Sequence, residues 1–303
     1  MKCTRCRKNQ AEIELIRHNA AFCRDCFVDF FHLQVQKAIK QWKMFSKEDN
    51  ILIAVSGGKD SLSLWNVLVE LGYNVSALFI DLGIDGFSEK AFAKVEAFSN
   101  KIGSKLIVVD LKKEGIPIPK VIKSVRRHPC SVCGQIKRYY FNMVAIKNDF
   151  DVLVTGHNLD DEASRLFANV LHWKSEYLQD QAPLLPSENG LKKKAKPFFR
   201  VTEQEIAAYA FFKDIDYFVN ECPLSKGAIF SFYKKELNRL ECESHGIKIE
   251  FYQGFLKEIR PLLQNAKKDR NDKITFCERC GYPATKNGLC SVCNIKEKIN
   301  LKK

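Results

Sequence analysis

Four groups of residues in this chain combine reactive side chains with telling spacing. The first is Ser56-Gly57-Gly58-Lys59-Asp60-Ser61, which follows the apolar, β-branched run Ile51–Val55 and precedes a helical pattern of Leu62, Leu64, Trp65, Leu68 and Val69. A strand, a glycine turn and a helix start in that order make an anion pocket. Glycines let backbone N–H groups approach a phosphate, the helix N-terminus adds partial positive charge, and Lys59 and the two serines supply further donors. The spacing is too short for the P-loop pattern G-x-x-x-x-G-K-[ST].

The second group is eight of the twelve cysteines, arranged as Cys3-x-x-Cys6 with Cys23-x-x-Cys26, and Cys277-x-x-Cys280 with Cys290-x-x-Cys293. A C-x-x-C knuckle presents two thiolates from one tight turn, so each quartet can close a tetrahedron around Zn²⁺ in a structural site. Placed at opposite ends of the chain, the quartets could pack together or reach out to a long ligand. The third group is Cys130 and Cys133, in a C-x-x-C that opens a helix, with Cys222 in NECPLSKGA. Three such thiols allow a redox dithiol with a persulfide carrier, an iron–sulfur cluster with one open iron, a third zinc site, or a structural role. Cys242 stands in a charged helical pattern and reads as an ordinary half-buried thiol.

The fourth group is VTGHNLDDEA, residues 154–163. Gly156 lets a nucleotide lie close to the backbone. Asp160, Asp161 and Glu162 fall in the first turn of a helix, where acid suits the macrodipole. Two adjacent aspartates beside a phosphate loop also suit Mg²⁺ on a triphosphate, or the orientation of an attacking group.

These residues need a scaffold, and from residue 50 onward the pattern alternates. Strands are expected at 51–55, 75–81, 105–110 and 151–155, and helices at 60–71, 88–102, 134–148, 160–172 and 202–213. This is the signature of an α/β fold, a doubly wound parallel sheet with helices on both faces, and it puts Ser56, Asp81 and Gly156 at the carboxyl ends of strands, where such sheets bind ligands. Domains are expected at 1–26 (zinc finger), 27–49 (linker helix with Lys37, Lys40 and Lys43 on a basic face), 50–264 (catalytic domain) and 265–303 (zinc ribbon, reached by a charged linker over 265–275). Residues 174–198, with Lys192, Lys193, Lys194 and Lys196, read as a surface loop or a contact to a phosphate backbone. Residues 226–264 read as helical.

The chain has 303 residues and a net charge of +13, from 49 basic and 36 acidic side chains, a balance that favours a polyanionic partner. There is no secretory signal and no apolar run long enough for a membrane helix, so a cytoplasmic protein is expected. The cysteine pairing suits metal binding in a reducing compartment better than disulfides.

SGGKDS resembles the phosphate loop of ATP pyrophosphatases (the PP-loop, in a HUP-like sheet). Together with GHNLDDEA, PCSVCG, the later ECP and two terminal quartets, it is similar to the tRNA 2-thiolation enzymes, and most of all to the TtuA family of tRNA uridine-54 2-sulfurtransferases. LGI (82–84), KRY (137–139), KPFFR (196–200), NECPLSKGA (220–228), GFLKEIRP (254–261) and ERCGYPAT (278–285) support it over essentially the whole chain. The resemblance implies adenylation of the uridine C2 oxygen by ATP and Mg²⁺, followed by replacement of that oxygen with sulfur. It implies that Ser56 to Ser61 (Gly57, Gly58, Lys59 and Asp60 between them) hold pyrophosphate, that Ala54, Phe79 and Gly156 lie near adenosine, that Lys137 lies near the phosphates and Asp161 near the transferring group. Cys130, Cys133 and Cys222 would hold a [4Fe–4S] cluster. The implied partners are tRNA, a ubiquitin-like sulfur carrier with a C-terminal thiocarboxylate (or free sulfide), and a second copy in a homodimer. Thiolation of wobble uridine 34, and an iron-free persulfide route, are the neighbouring alternatives.

Overall fold

The computed structural model describes residues 1–225, 230–267, 275–284 and 288–300. A short hairpin, β1 (Ile13–Leu15) and β2 (Ala20–Phe22), carries the first cysteine pairs into helix α1 (Arg24–Trp42). Phe27, Phe31, Val35, Ala38 and Ile39 recur along α1 at three- and four-residue steps and are buried in one stripe. The sheet follows: β3 (Ile51–Val55), α2 (Lys59–Glu70), β4 (Val75–Asp81), α3 (Ser88–Ile102), β5 (Leu106–Asp110), α4 (Ile118–Ser124), α5 (Pro129–Lys147), β6 (Val152–Thr155) and α6 (Leu159–Leu171). Then come α7 (Ser175–Gln179), β7 (Leu184–Leu185), β8 (Lys193–Ala195), α8 (Glu203–Phe212), α9 (Phe230–Glu243), α10 (Ile247–Gly254) and, through a π-helical turn, α11 (Arg260–Lys267). β9 (Thr275–Phe276), β10 (Pro283–Ala284) and α12 (Ser291–Asn300) close the chain.

The sheet order is β5-β4-β3-β6-β8-β7, parallel except for β7, which runs antiparallel to β8. Alternate residues of each strand enter different cores. Ile51, Ile53 and Val55, with Val152 and Val154, face a layer that includes α1 and α2. Leu52, Leu78 and Leu153 face the layer with α5. This two-sided burial is why the strands read as continuous apolar runs, and the expected doubly wound sheet is present. The two cysteine quartets do not pack together. Cys3 and Cys23 join the first core, and Cys277, Cys290 and Cys293 join the second.

The stretch 174–198 differs from the expected loop. It holds α7, the edge strand β7 and the interior strand β8. The lysines of LKKKAK masked β8, because a strand is recognised by apolar alternation. Lys196 is buried, and its Nζ donates to both carboxylate oxygens of Glu162 at 2.8 Å. Cys242 is exposed rather than half-buried. α11 runs across the 264/265 boundary expected from sequence, and residues 268–274 of the expected linker lie outside the described residues. No described helix is long and apolar enough to cross a membrane.

Candidate active site and metal centres

Gly57 adopts φ +83°, and a Cβ there would lie 2.9 Å from the Ala91 carbonyl oxygen. Only glycine fits that turn. Gly58 precedes α2 in extended conformation, and no side chain caps the helix start. Ser61 Oγ accepts from Ser56 N–H at 3.2 Å and donates to Gly58 O at 3.0 Å, which fixes the loop without using the N–H groups of the first helical turn. Those N–H groups and the positive end of α2 remain for an anion.

Above the loop lies a cavity of about 400 Å³. Ala54, Ser56, Gly58 and Phe79 line its sheet side, Cys130, Cys133 and Lys137 its α5 side, and Cys222 its third wall. Two contacts hold the segment leading to Cys222 over the loop. Phe218 N–H donates to Gly57 O at 2.8 Å, and the Phe218 ring packs edge-on against Phe87 at 5.1 Å. The other cysteine pair is placed by a proline start: His128 caps α5, its Nδ1 accepting from Cys130 N–H at 3.3 Å, with Pro129 at the first helical position. Burial pushes the Cys133 thiol above its usual range, against the pull of Lys137. Among the described residues, no carboxylate or imidazole lines this cavity.

Gly156, Lys59, Asp60 and Asp161 form a second part of the site, beside the cavity rather than in its wall. A Cβ on Gly156 would lie 3.0 Å from the Asp60 carbonyl carbon, so this glycine lets the end of β6 touch the start of α2. The close approach expected of Gly156 is therefore first to backbone. Lys59 Nζ bonds Glu203 at 2.7 Å and lies 3.1 Å from Asp60 Oδ1. Asp161 accepts from Asn158 N–H at 3.2 Å in a reciprocal capping box, and its other oxygen accepts from Lys234 Nζ at 2.8 Å. Lys234 also reaches Glu203 at 3.1 Å. Burial pushes the Asp60 carboxyl up to about 6; Lys59 pulls it down, while Asp161 and Glu203 add to the rise. Its Oδ1 is buried and lacks a well-aligned hydrogen bond.

Asp160 does not join Asp161 as a metal ligand. It is buried, with one oxygen on Lys248 Nζ at 2.6 Å and the other on Glu203 N–H at 2.7 Å. Glu162 is equally committed, to Lys196 and to the Tyr252 hydroxyl at 2.8 Å. Lys234, Glu203 and Lys248 escaped the sequence reading. Their only signal was an excess of acid in DDEA that some cation had to balance.

In each terminal quartet the four sulfur atoms lie within 4.8 Å of one another, close enough for one metal ion. In the first, burial works against ionising Cys3, yet backbone N–H groups of Cys6, Cys23 and Arg5 bring its thiol down to about 6. Cys277 is brought to about 6 in the same way, by backbone donors of Cys290, Cys280 and Arg279. Among the described residues, Cys130, Cys133 and Cys222 do not form such a tight group.

A sequence profile of the PP-loop domain matches residues 31–226, and one of the N-terminal LIM domain of the 2-thiouridine synthetase TtuA matches residues 2–28. The tRNA-5-methyluridine(54) 2-sulfurtransferase of Thermotoga maritima is 42% identical, over 100% of this chain and 98% of that one. The chain belongs to the TtuA family of tRNA 2-sulfurtransferases. Its relative in Thermus thermophilus is 41% identical, over 96% of this chain and 89% of the relative. The fold is shared with the U34-tRNA thiolase NcsA of Methanococcus maripaludis, whose structure was solved with its [4Fe–4S] cluster: TM-score 0.81, 24% identity, 98% of this chain and 96% of that one. The chain is thus an enzyme of tRNA thiolation with a PP-loop for ATP.

Proposed function

We propose that this TtuA-family enzyme 2-thiolates uridine 54 of tRNA, adenylating the C2 oxygen with ATP and replacing it with sulfur at a cluster held by Cys130, Cys133 and Cys222. The observation that carries the proposal is one cavity walled by the phosphate loop, an apolar nucleoside surface, Lys137 and three thiols. ATP enters with its adenosine against Ala54 and Phe79 and its β,γ-phosphates on the N–H groups that follow Gly57. Lys137 neutralises charge that develops on the transferring phosphate. The C2 oxygen, a poor leaving group by itself, departs as part of AMP. Asp161, held in orientation by Asn158 and Lys234, takes the role of acid–base or positioning group beside the reacting centre.

The donor set fits a [4Fe–4S] cluster. Its thiols are spread more widely than those of the quartets, as a cubane requires when each thiolate binds a different iron, and among the described residues the cavity offers no carboxylate or imidazole as a fourth ligand. When bound, such a cluster supplies one iron free of protein thiolate, on which a soft sulfur nucleophile is kept out of water. The terminal quartets fit structural Zn²⁺, being closed, four-thiolate and part of the two cores. Asp60 fits Mg²⁺ through its buried, poorly bonded oxygen, with Asp161 alongside. The sulfur donor is a ubiquitin-like carrier thiocarboxylate or free sulfide, and the working form is a cytoplasmic homodimer.

The test is anaerobic reconstitution with iron, followed by incubation with unmodified tRNA transcript, ATP, Mg²⁺ and sulfide. Mass mapping is expected to place one 2-thio base at position 54 together with AMP release. Thiolation at position 34 instead would move the enzyme to the wobble activity, and full activity in a colourless, iron-free preparation would replace the cluster with a persulfide.

A further inference from the structure

We propose that the cavity between α5, the β7–β8 hairpin and α11 binds RNA phosphates, holding the tRNA strand that delivers the target base to the cysteine-lined cavity; this rests on the chemistry proposed for that first cavity. The second cavity measures about 830 Å³. Arg138, Lys194 and Arg260 converge on it from α5, β8 and α11. Neither the Lys194 ammonium nor the Arg138 guanidinium has a hydrogen bond or ion pair among the described residues, and Arg260 Nε is buried without a partner. The nearest buried carboxylate, Glu162, is already saturated by Lys196 and Tyr252. Lys194 keeps its solvent contact through the cavity. Burial holds its ammonium down to about 7, with Lys196, Arg165 and Arg138 adding to the effect and Glu162 opposing it. Arg138 is exposed, and Lys194 and Arg260 are half-buried; Asp180 and Glu188 also line the cavity, yet with Lys192 the cations outnumber them, which leaves a net positive wall that attracts an anion.

Three cations on three separate elements suit a polyanion better than the single carboxylate at the end of a peptide tail. The cavity also presents the rings of Phe141 and Tyr282, and the Asn142 amide, whose Nδ2 is buried without a partner. Rings and amides beside cations are what a nucleotide takes: stacking for the base, donors for its edge. The placement connects the two cavities. Phe141 walls both, and Lys137 and Arg138, neighbours on α5, serve one cavity each. A base inserted at Lys137 therefore brings the phosphates of its own strand to Arg138.

The test uses the full-length, cluster-loaded enzyme with an unmodified tRNA transcript as probe. Lys194→Met keeps the side-chain shape and removes the charge, and Arg138→Gln acts at an exposed residue whose loss spares the core. Each is expected to weaken tRNA binding about tenfold and to lower the slope of log Kd against log salt by about 1, with ATP affinity unchanged. Lys194→Met is also expected to raise the melting temperature, because the surroundings of Lys194 disfavour its charged form. Weaker binding in a more stable protein separates an RNA contact from a support of the fold. Wild-type tRNA affinity and salt slope in both variants would overturn the proposal. So would intact tRNA binding with a selective loss of sulfur transfer from a protein donor, which would give the cavity to the donor's tail. If the wild type binds tRNA without thiolating it, the chemistry of the first cavity fails while these affinities still decide the subsite.

Discussion

Asp160 and Asp161 are consecutive, acidic and at the same helix start, yet the fold uses them for different ends. Asp160 is sealed against Lys248, both below one-tenth exposed. Asp161 stays at the edge of the site, shared between a helix cap and Lys234. Asp160→Ala should cost about 3–5 kcal/mol, since it strands a buried ammonium, whereas Asp161→Asn should cost about 1 kcal/mol as a weakened cap and abolish thiolation. Urea unfolding and thiolation assays on the two variants check this division. Asp60 carries a pH signature. Its folded carboxyl titrates at about 6, above the roughly 3.9 of an unfolded aspartate. Between those values the folded chain keeps a proton that the unfolded chain releases, so this group's contribution to stability falls as pH rises through the window. Asp60→Asn should therefore raise the melting temperature more at pH 7 than at pH 5 while losing ATP turnover. At this scale the sequence was informative wherever chemistry depends on residue type and short spacing, as in SGGKDS and the cysteine pairs. It was silent on Lys234, Glu203 and Lys248, because their partners are brought to them only by the packing of α6, α8, α9 and α10.

Among the elements, α5 does the most to assemble the site. Its first two turns supply the two cysteines, its third turn Lys137, and its far side Arg138 and the tyrosines; Tyr139 packs against Tyr282 of the ribbon at 4.9 Å. α2 is positioned by glycines. Gly57→Ala would force a Cβ onto the Ala91 carbonyl in a backbone region costly for alanine, and Gly156→Ala would push β6 away from the start of α2. Both variants should lose ATP binding, Gly156→Ala with the smaller fall in melting temperature because its φ is ordinary; isothermal titration with ATP and a thermal melt separate the two effects. Helices and strands with an apolar period were legible from sequence to within a few residues. β8 was not, since Lys193 and Lys194 interrupt the apolar run; Lys194 lines a cavity, and Lys196 just past the strand finds the internal carboxylate of Glu162.

At the scale of the whole molecule, the two quartets anchor opposite faces of one sheet. Elemental analysis of a cluster-free preparation should find two zinc ions per chain, and a strong chelator should lower the melting temperature by many degrees, since a metal in each quartet would close part of a core. Iron without zinc would remove this reading. The first quartet is tied to the catalytic half by more than apolar contact. Arg17 grips Glu205 through two bonds, at 2.9 and 2.6 Å, and His18 adds a third at 3.1 Å. Glu205 caps α8, two residues after the Glu203 that engages Lys59. The amino-terminal finger is consequently no detachable appendage. Excising it to obtain a minimal enzyme would take both cationic partners from Glu205, two residues along α8 from the Glu203 that holds Lys59, and would uncover the apolar face of α1, so a shortened version should be less stable than the whole chain.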